Sequence, residues 1–70
     1  MYVLVDVVGA DMWTDTFDDE DTAIASAERE WKYLSDHDKK RRTEFYVLKS
    51  VANDIEADNA LDGDIIKRWK

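Results

Sequence analysis

The chain has 70 residues, no cysteine, no proline and a formal charge of −7, which admits one small domain and excludes disulfide staples, thiol catalysis and cysteine-held zinc. Residues 1–38 hold eleven carboxylates against Arg29 and Lys32, a net of −9, whereas residues 39–70 hold six against eight bases, a net of +2. A field this negative repels DNA, RNA and anionic membranes and attracts basic protein surfaces.

A single domain over residues 1–70 buries only about 60% of the surface its unfolded chain exposes. Its core therefore depends on a few large side chains: Trp13, Trp31, Trp69, Tyr2, Tyr33, Tyr46, Phe17 and Phe45. Tyr2 to Val8 is an apolar, β-branched run broken once by Asp6, which predicts a central strand. Gly9-Ala10-Asp11 supplies a turn, with a glycine able to take positive φ. Met12 to Phe17 alternates, Trp13, Asp15 and Phe17 on one face and Met12, Thr14 and Thr16 on the other. That alternation predicts a half-exposed second strand, closing a hairpin.

Asp18-Asp19-Glu20-Asp21-Thr22 opens the main helix, its acids suited to capping free N–H groups and to the positive end of the helix dipole. Ile24, Ala27, Trp31 and Leu34 recur at helical spacing and form one apolar stripe. The stripe places Trp31 against the sheet, whereas Tyr33 faces solvent. Ala23 and Ala25 add helix propensity, and Glu28 precedes Lys32 by four residues as an exposed ion pair. The helix stops near Leu34, and Ser35-x-x-Asp38 starts a shorter helical turn through Arg41.

Thr43 to Val51 predicts the third strand, with Phe45, Val47 and Val51 on one face and Tyr46 and Leu48 on the other. Ala57, Ala60 and Leu61 form a loose helical turn, and Ile65 to Trp69 is either a short fourth strand or a tail laid on the core. A helical crossover returns strand three parallel to strand two. If it lies beside strand one, the fold is α+β: a small antiparallel ββαβ sheet of order 2-1-3 with one main helix on one face. The other face is then partly open.

Acidic residues Asp15, Asp18, Asp19, Glu20 and Asp21 form the candidate partner-binding patch, since four adjacent acids exceed what a helix cap requires. Trp13 and Trp69, near a turn and a terminus, are candidate aromatic anchors. Asp54-x-Glu56-x-Asp58 has some spacing of a calcium loop, but Asn59 stands where glycine is needed and Ile65 where the bidentate glutamate is needed. No metal or cofactor is expected. His37 lies in a hydrophilic run with no orienting partner, and Lys39-Lys40-Arg41-Arg42 complements the helix C-terminus and neighbouring acids. No nucleophile motif marks an enzyme. No apolar run approaches the ~20 residues that span a bilayer, and Met1–Asp6 lacks a signal-peptide pattern, so a cytoplasmic setting is expected.

The stretch Ala27-Glu28-Arg29-Glu30-Trp31-Lys32-Tyr33-Leu34-Ser35, followed by Asp38-Lys39-Lys40-Arg41, Phe45-Tyr46-Val47-Leu48-Lys49-Ser50-Val51 and Leu61-Asp62-Gly63-Asp64-Ile65-Ile66, resembles small, uncharacterised acidic proteins carried by phages and conjugative elements of Gram-positive bacteria. The resemblance covers most of residues 16–66 and rests on no catalytic motif, so it assigns no site residue. It implies a mobile-element context, in which small acidic proteins block host defence enzymes by occupying their nucleic-acid grooves. The expected function is a protein-binding inhibitor or modulator of a nucleic-acid-handling protein with a basic surface, an anti-CRISPR or similar counter-defence protein being the sharpest version. The alternative is a structural, self-associating accessory protein, with the open sheet face buried in a homodimer.

Overall fold

Period-two alternation and a two-residue turn set the first unit of the fold. In the computed structural model, which describes all of Met1–Lys70, β1 (Tyr2–Val8) and β2 (Asp11–Phe17) pair antiparallel from Tyr2 opposite Phe17 to Val8 opposite Asp11. Gly9 has φ 59° and Ala10 has negative φ, as a type II′ hairpin turn demands of its first and second central residues.

The chain then enters α1 (Glu20–Tyr33) through Asp19, whose carboxylate accepts from the Thr22 N–H at 2.7 Å and from the Thr22 hydroxyl at 3.0 Å. Leu34 turns extended (φ −70°, ψ 136°) and ends the helix. Ser35 caps a separate α2 (Asp36–Arg41), its hydroxyl accepting from the Asp38 N–H at 3.1 Å. The two helical segments are thus distinct, each started by its own short polar side chain.

β3 (Arg42–Ser50) returns beside β1, and β4 (Gly63–Arg68) adds beyond it. The sheet has order β2-β1-β3-β4 with every neighbouring pair antiparallel, the expected 2-1-3 arrangement extended by a fourth strand. β3 ends one residue earlier than expected. Val51 lies outside the Phe45–Val47 face and is exposed, its N–H donating to the Asp62 carbonyl at 2.9 Å. The loose turn over 57–61 forms, the Ala60 N–H donating to the Ala57 carbonyl at 3.0 Å, but it does not extend into a helix. Residues 54–62 make successive four-residue turns, the Ala57 N–H donating to the Asp54 carbonyl at 3.1 Å and the Asp62 N–H to the Asn59 carbonyl at 3.0 Å. The Asp54 carboxylate also accepts from the Glu56 N–H at 3.0 Å, and such local bonds compete with a helix ladder.

One face of the sheet packs against α1. Leu4, Phe45 and Val47 are buried with Ala23 and Ala27, and Tyr2, Phe17, Ile24, Trp31, Ile66 and Trp69 close the rim. Ala23 is therefore a core residue rather than a propensity filler; like Ala27 it has no bulk to hold the helix off the strands. Phe45 is the centre of this layer, with the Trp31 ring centroid 5.2 Å away and Trp69 edge-on at 5.8 Å. Glu28 bonds Lys67 on β4 at 2.6 Å, in place of the expected pairing with Lys32, and so ties the helix to the sheet.

The other face has no helix over it. Val3, Val5 and Leu48 are nonetheless buried there, packed with Met1, Val7 and Tyr46. At one end of this face the Ser50 hydroxyl donates to the Ala60 carbonyl at 2.6 Å and accepts from the Ala52 N–H at 3.0 Å. The Ser50 N–H donates to the Met1 carbonyl at 2.8 Å. These bonds fasten the 51–62 loop and the N-terminus to the sheet. Gly63 opens β4 at φ 151°, where an added Cβ would collide with the Lys49 carbonyl. No helix is long and apolar enough to cross a membrane.

Candidate functional site

Strand alternation puts Asp11, Trp13 and Asp15 of β2 on the helix side of the sheet, and the same edge continues through Asp18 and Asp19 into Glu20 and Asp21 of α1. All seven are exposed. The ion pairs of the fold lie elsewhere: Arg42 with Asp6 (3.0 Å), Lys67 with Glu28 (2.6 Å), Arg68 with Glu44 (3.4 Å) and Arg41 with Asp38 (4.0 Å). No carboxylate from Asp11 to Asp21 has a cationic partner. The first basic residue in the sequence is Arg29, so the hairpin and the first turns of α1 have no local counter-charge.

The members of this patch differ in what the fold asks of them. Asp19 is a cap, and its pKa is lowered, first by the Thr22 N–H and then by the Thr22 hydroxyl. Glu20 and Asp21 sit in the first turn of α1 and favour the dipole. The carboxylates of Asp15 and Asp18 accept no hydrogen bond and cap nothing.

Two residues join the patch that the sequence reading omitted. Asp11 shares the face of Asp15, two pleats along. Glu30 stands three residues after Ala27 and seven after Ala23, on the flank of α1 turned toward β2. Its pKa is raised by partial desolvation and then by the charges of Asp15 and Asp6, with Arg29 and Arg42 acting in the opposite sense. Once Ala23 is recognised as buried, helical spacing alone places Glu30 there.

Trp13 and Trp69 part company. Trp13 is 57% exposed beside Asp15, whereas Trp69 is half-buried against Phe45 with the Lys67 ammonium 5.2 Å from its ring centre. Trp69 is thus committed to the core, and Trp13 alone is free to anchor a partner. Tyr33, as expected, faces solvent at 82% exposure.

Two members of the basic run, Arg42 and Lys39, are drawn into the fold. Arg42 holds Asp6 through Nε and Nη2, at 3.0 and 3.3 Å, and its Nη1 donates to the Asp38 carbonyl at 3.3 Å. Lys39 lies over the Trp31 ring at 5.5 Å. His37 is exposed. No three His, Asp or Glu side chains converge as a metal site would require, and the surface has no pocket. What the geometry offers is a strongly negative border with one exposed tryptophan. No family model matches the chain, and no curated protein or solved structure matches it either.

Proposed function

We propose that this chain is a non-enzymatic protein-binding module, which docks its acidic border (Asp11, Asp15, Asp18, Glu20, Asp21 and Glu30) on a basic surface of a larger protein. The reading rests on one observation: carboxylates from Asp11 to Asp21 line one border with no cation among them. Folding does not require such a concentration. Like charges brought together in a native state repel, and only the cap at Asp19 clearly repays its position. A partner with clustered lysine and arginine relieves that repulsion, and the long-range field speeds encounter.

Lysine and arginine clustered on one face are the electrostatic footprint of a nucleic-acid-binding surface. The partner class is accordingly a nucleic-acid-handling protein, inhibited or modulated by competition for its phosphate-binding face. The resemblance to small acidic proteins of mobile elements favours a counter-defence role, anti-CRISPR in its sharpest form. Self-association through the helix-free face has less support. Its Val3, Val5 and Leu48 are already buried within one chain, leaving Met12 and Ile65 as the exposed large apolar groups of its strands.

The test is an affinity capture from host lysate with the unaltered protein and with an Asp15→Lys/Asp18→Lys/Glu20→Lys/Asp21→Lys variant. Asp19 is left in place because it caps α1. A specific basic partner retained by the first and lost by the second is expected. Equal capture by both removes the acidic border from the account.

A further inference from the structure

The acidic border coincides with a free sheet edge. β2 pairs with β1 only. The direction of its unpaired groups follows from the ladder. Phe45 turns its main chain toward the C-terminal strand, accepting from Trp69 at 2.9 Å and donating to Lys70 at 3.3 Å. The even-numbered residues of β3 therefore face β1. By strict alternation, the even-numbered residues of β1 face β2. Asp11, Trp13, Asp15 and Phe17 bond β1, and the N–H and C=O groups of Met12, Thr14 and Thr16 point outward with no protein partner.

Folded proteins ordinarily blunt such an edge with a bulge, a proline or lysines. The opposite edge has these devices: β4 is bulged where it meets Val47 and Leu48 and carries Lys67 and Arg68. β2 has none. It runs seven residues in unbroken register, without lysine, arginine or proline, and its side chains from Asp11 to Thr16 are all exposed. Its only charges, Asp11 and Asp15, are of one sign and lie on one face. A second β2 would bring two uncompensated acidic borders together, so charge selects against a copy of this chain and for a cationic strand.

We infer that β2 is a docking edge, which takes up an extended segment of the partner as a fifth strand. This rests on the acidic-border reading and specifies its mode. Adding a strand supplies hydrogen bonds to Met12, Thr14 and Thr16, while side chains alternate between the two faces. On the helix side the incoming residues meet Asp11, Trp13 and Asp15, where arginine pairs with the carboxylates and stacks on the indole. On the other side they meet Met12, Thr14 and Thr16, where a β-branched apolar residue fits. The occupant is thus a segment alternating arginine or lysine with valine, isoleucine or threonine.

The probe is an end-capped synthetic peptide alternating arginine with valine over the length of β2, titrated into the intact protein and followed by amide hydrogen exchange. Binding is expected to slow exchange about tenfold or more at Met12, Thr14 and Thr16, while Trp13 and Asp15, already bonded to β1, change little. Thr14→Pro removes one outward N–H that the sheet does not use, a substitution an edge tolerates, and is expected to weaken binding by about tenfold. If the variant fails to fold, amide protection in the unaltered protein decides the matter.

The failures separate. Binding abolished by the four-lysine variant, but with Met12, Thr14 and Thr16 unprotected, overturns the edge and leaves the acidic border standing. Absence of binding, or equal binding by the four-lysine variant, overturns both. Protection of the same amides without peptide, rising with protein concentration, assigns the edge to a second copy and overturns the inference.

Discussion

Phe45→Ala tests the packing most severely. Phe45 is 1% exposed and fills the space between Trp31 and Trp69, with centroids 5.2 and 5.8 Å from its own. Truncating a fully buried phenylalanine costs about 3–5 kcal/mol. A domain of this length has about 4–10 kcal/mol of stability in total. The upper part of the cost range applies, because two tryptophan rings lose their common neighbour. Phe45→Ala is therefore expected to be marginally folded or unfolded at 25 °C. Trp31→Ala, which removes a half-buried ring from the same layer, costs less. Tyr33→Ala, at 82% exposure, stays within about 0.5 kcal/mol of the parent. Urea denaturation read by tryptophan fluorescence and far-ultraviolet circular dichroism gives the three values. A Phe45→Ala loss no larger than that of Tyr33→Ala would refute this description of the core.

Arg42→Gln strips the partly buried Asp6 carboxylate, 17% exposed, of its charged donor and is expected to cost about 1.5–3 kcal/mol. Adding Asp6→Asn should recover part of that loss in a double-mutant cycle, and strict additivity would mean the pair does not interact. Glu30 has a folded pKa raised above 4.5, so its contribution is fully present below that value and is lost as pH rises through the raised one. Glu30→Gln should accordingly stabilise the protein at pH 7 by more than at pH 4, read from urea midpoints; an equal gain at both, or a loss at pH 7, contradicts the assigned environment.

Much of the fold was legible because strong local signals agreed with one another. Alternation over 12–17, the Gly9 turn, the acidic helix start and the helical stripe each named an element, and the crossover restricted the strand order to 2-1-3. β4 was harder to read. Val47 faces Lys67 while Leu48 faces Ile65, so Ile66 is an extra residue. Ile66 and Lys67 both serve the helix side, Ile66 in the core and Lys67 on Glu28, and the bulge erases the alternation that marks a strand. Ala23 gave no signal because alanine suits a buried and an exposed helix position equally, and with it went the placement of Glu30. Glu28 chose a partner distant in sequence over Lys32, which no local spacing reveals. In the candidate site, Asp15 to Asp21 were readable as a charge run. That Trp13 stays free while Trp69 packs on Phe45 depended on tertiary contacts alone.

If the acidic border drives association, binding must weaken as salt screens it. The most direct measurement is the dissociation constant for the captured partner as ionic strength rises from about 0.05 to 0.5 M, which shortens the screening length roughly threefold. A steep loss of affinity is expected for the unaltered protein, with a much shallower dependence for the four-lysine variant. An affinity indifferent to salt, or the same slope in both proteins, would contradict it.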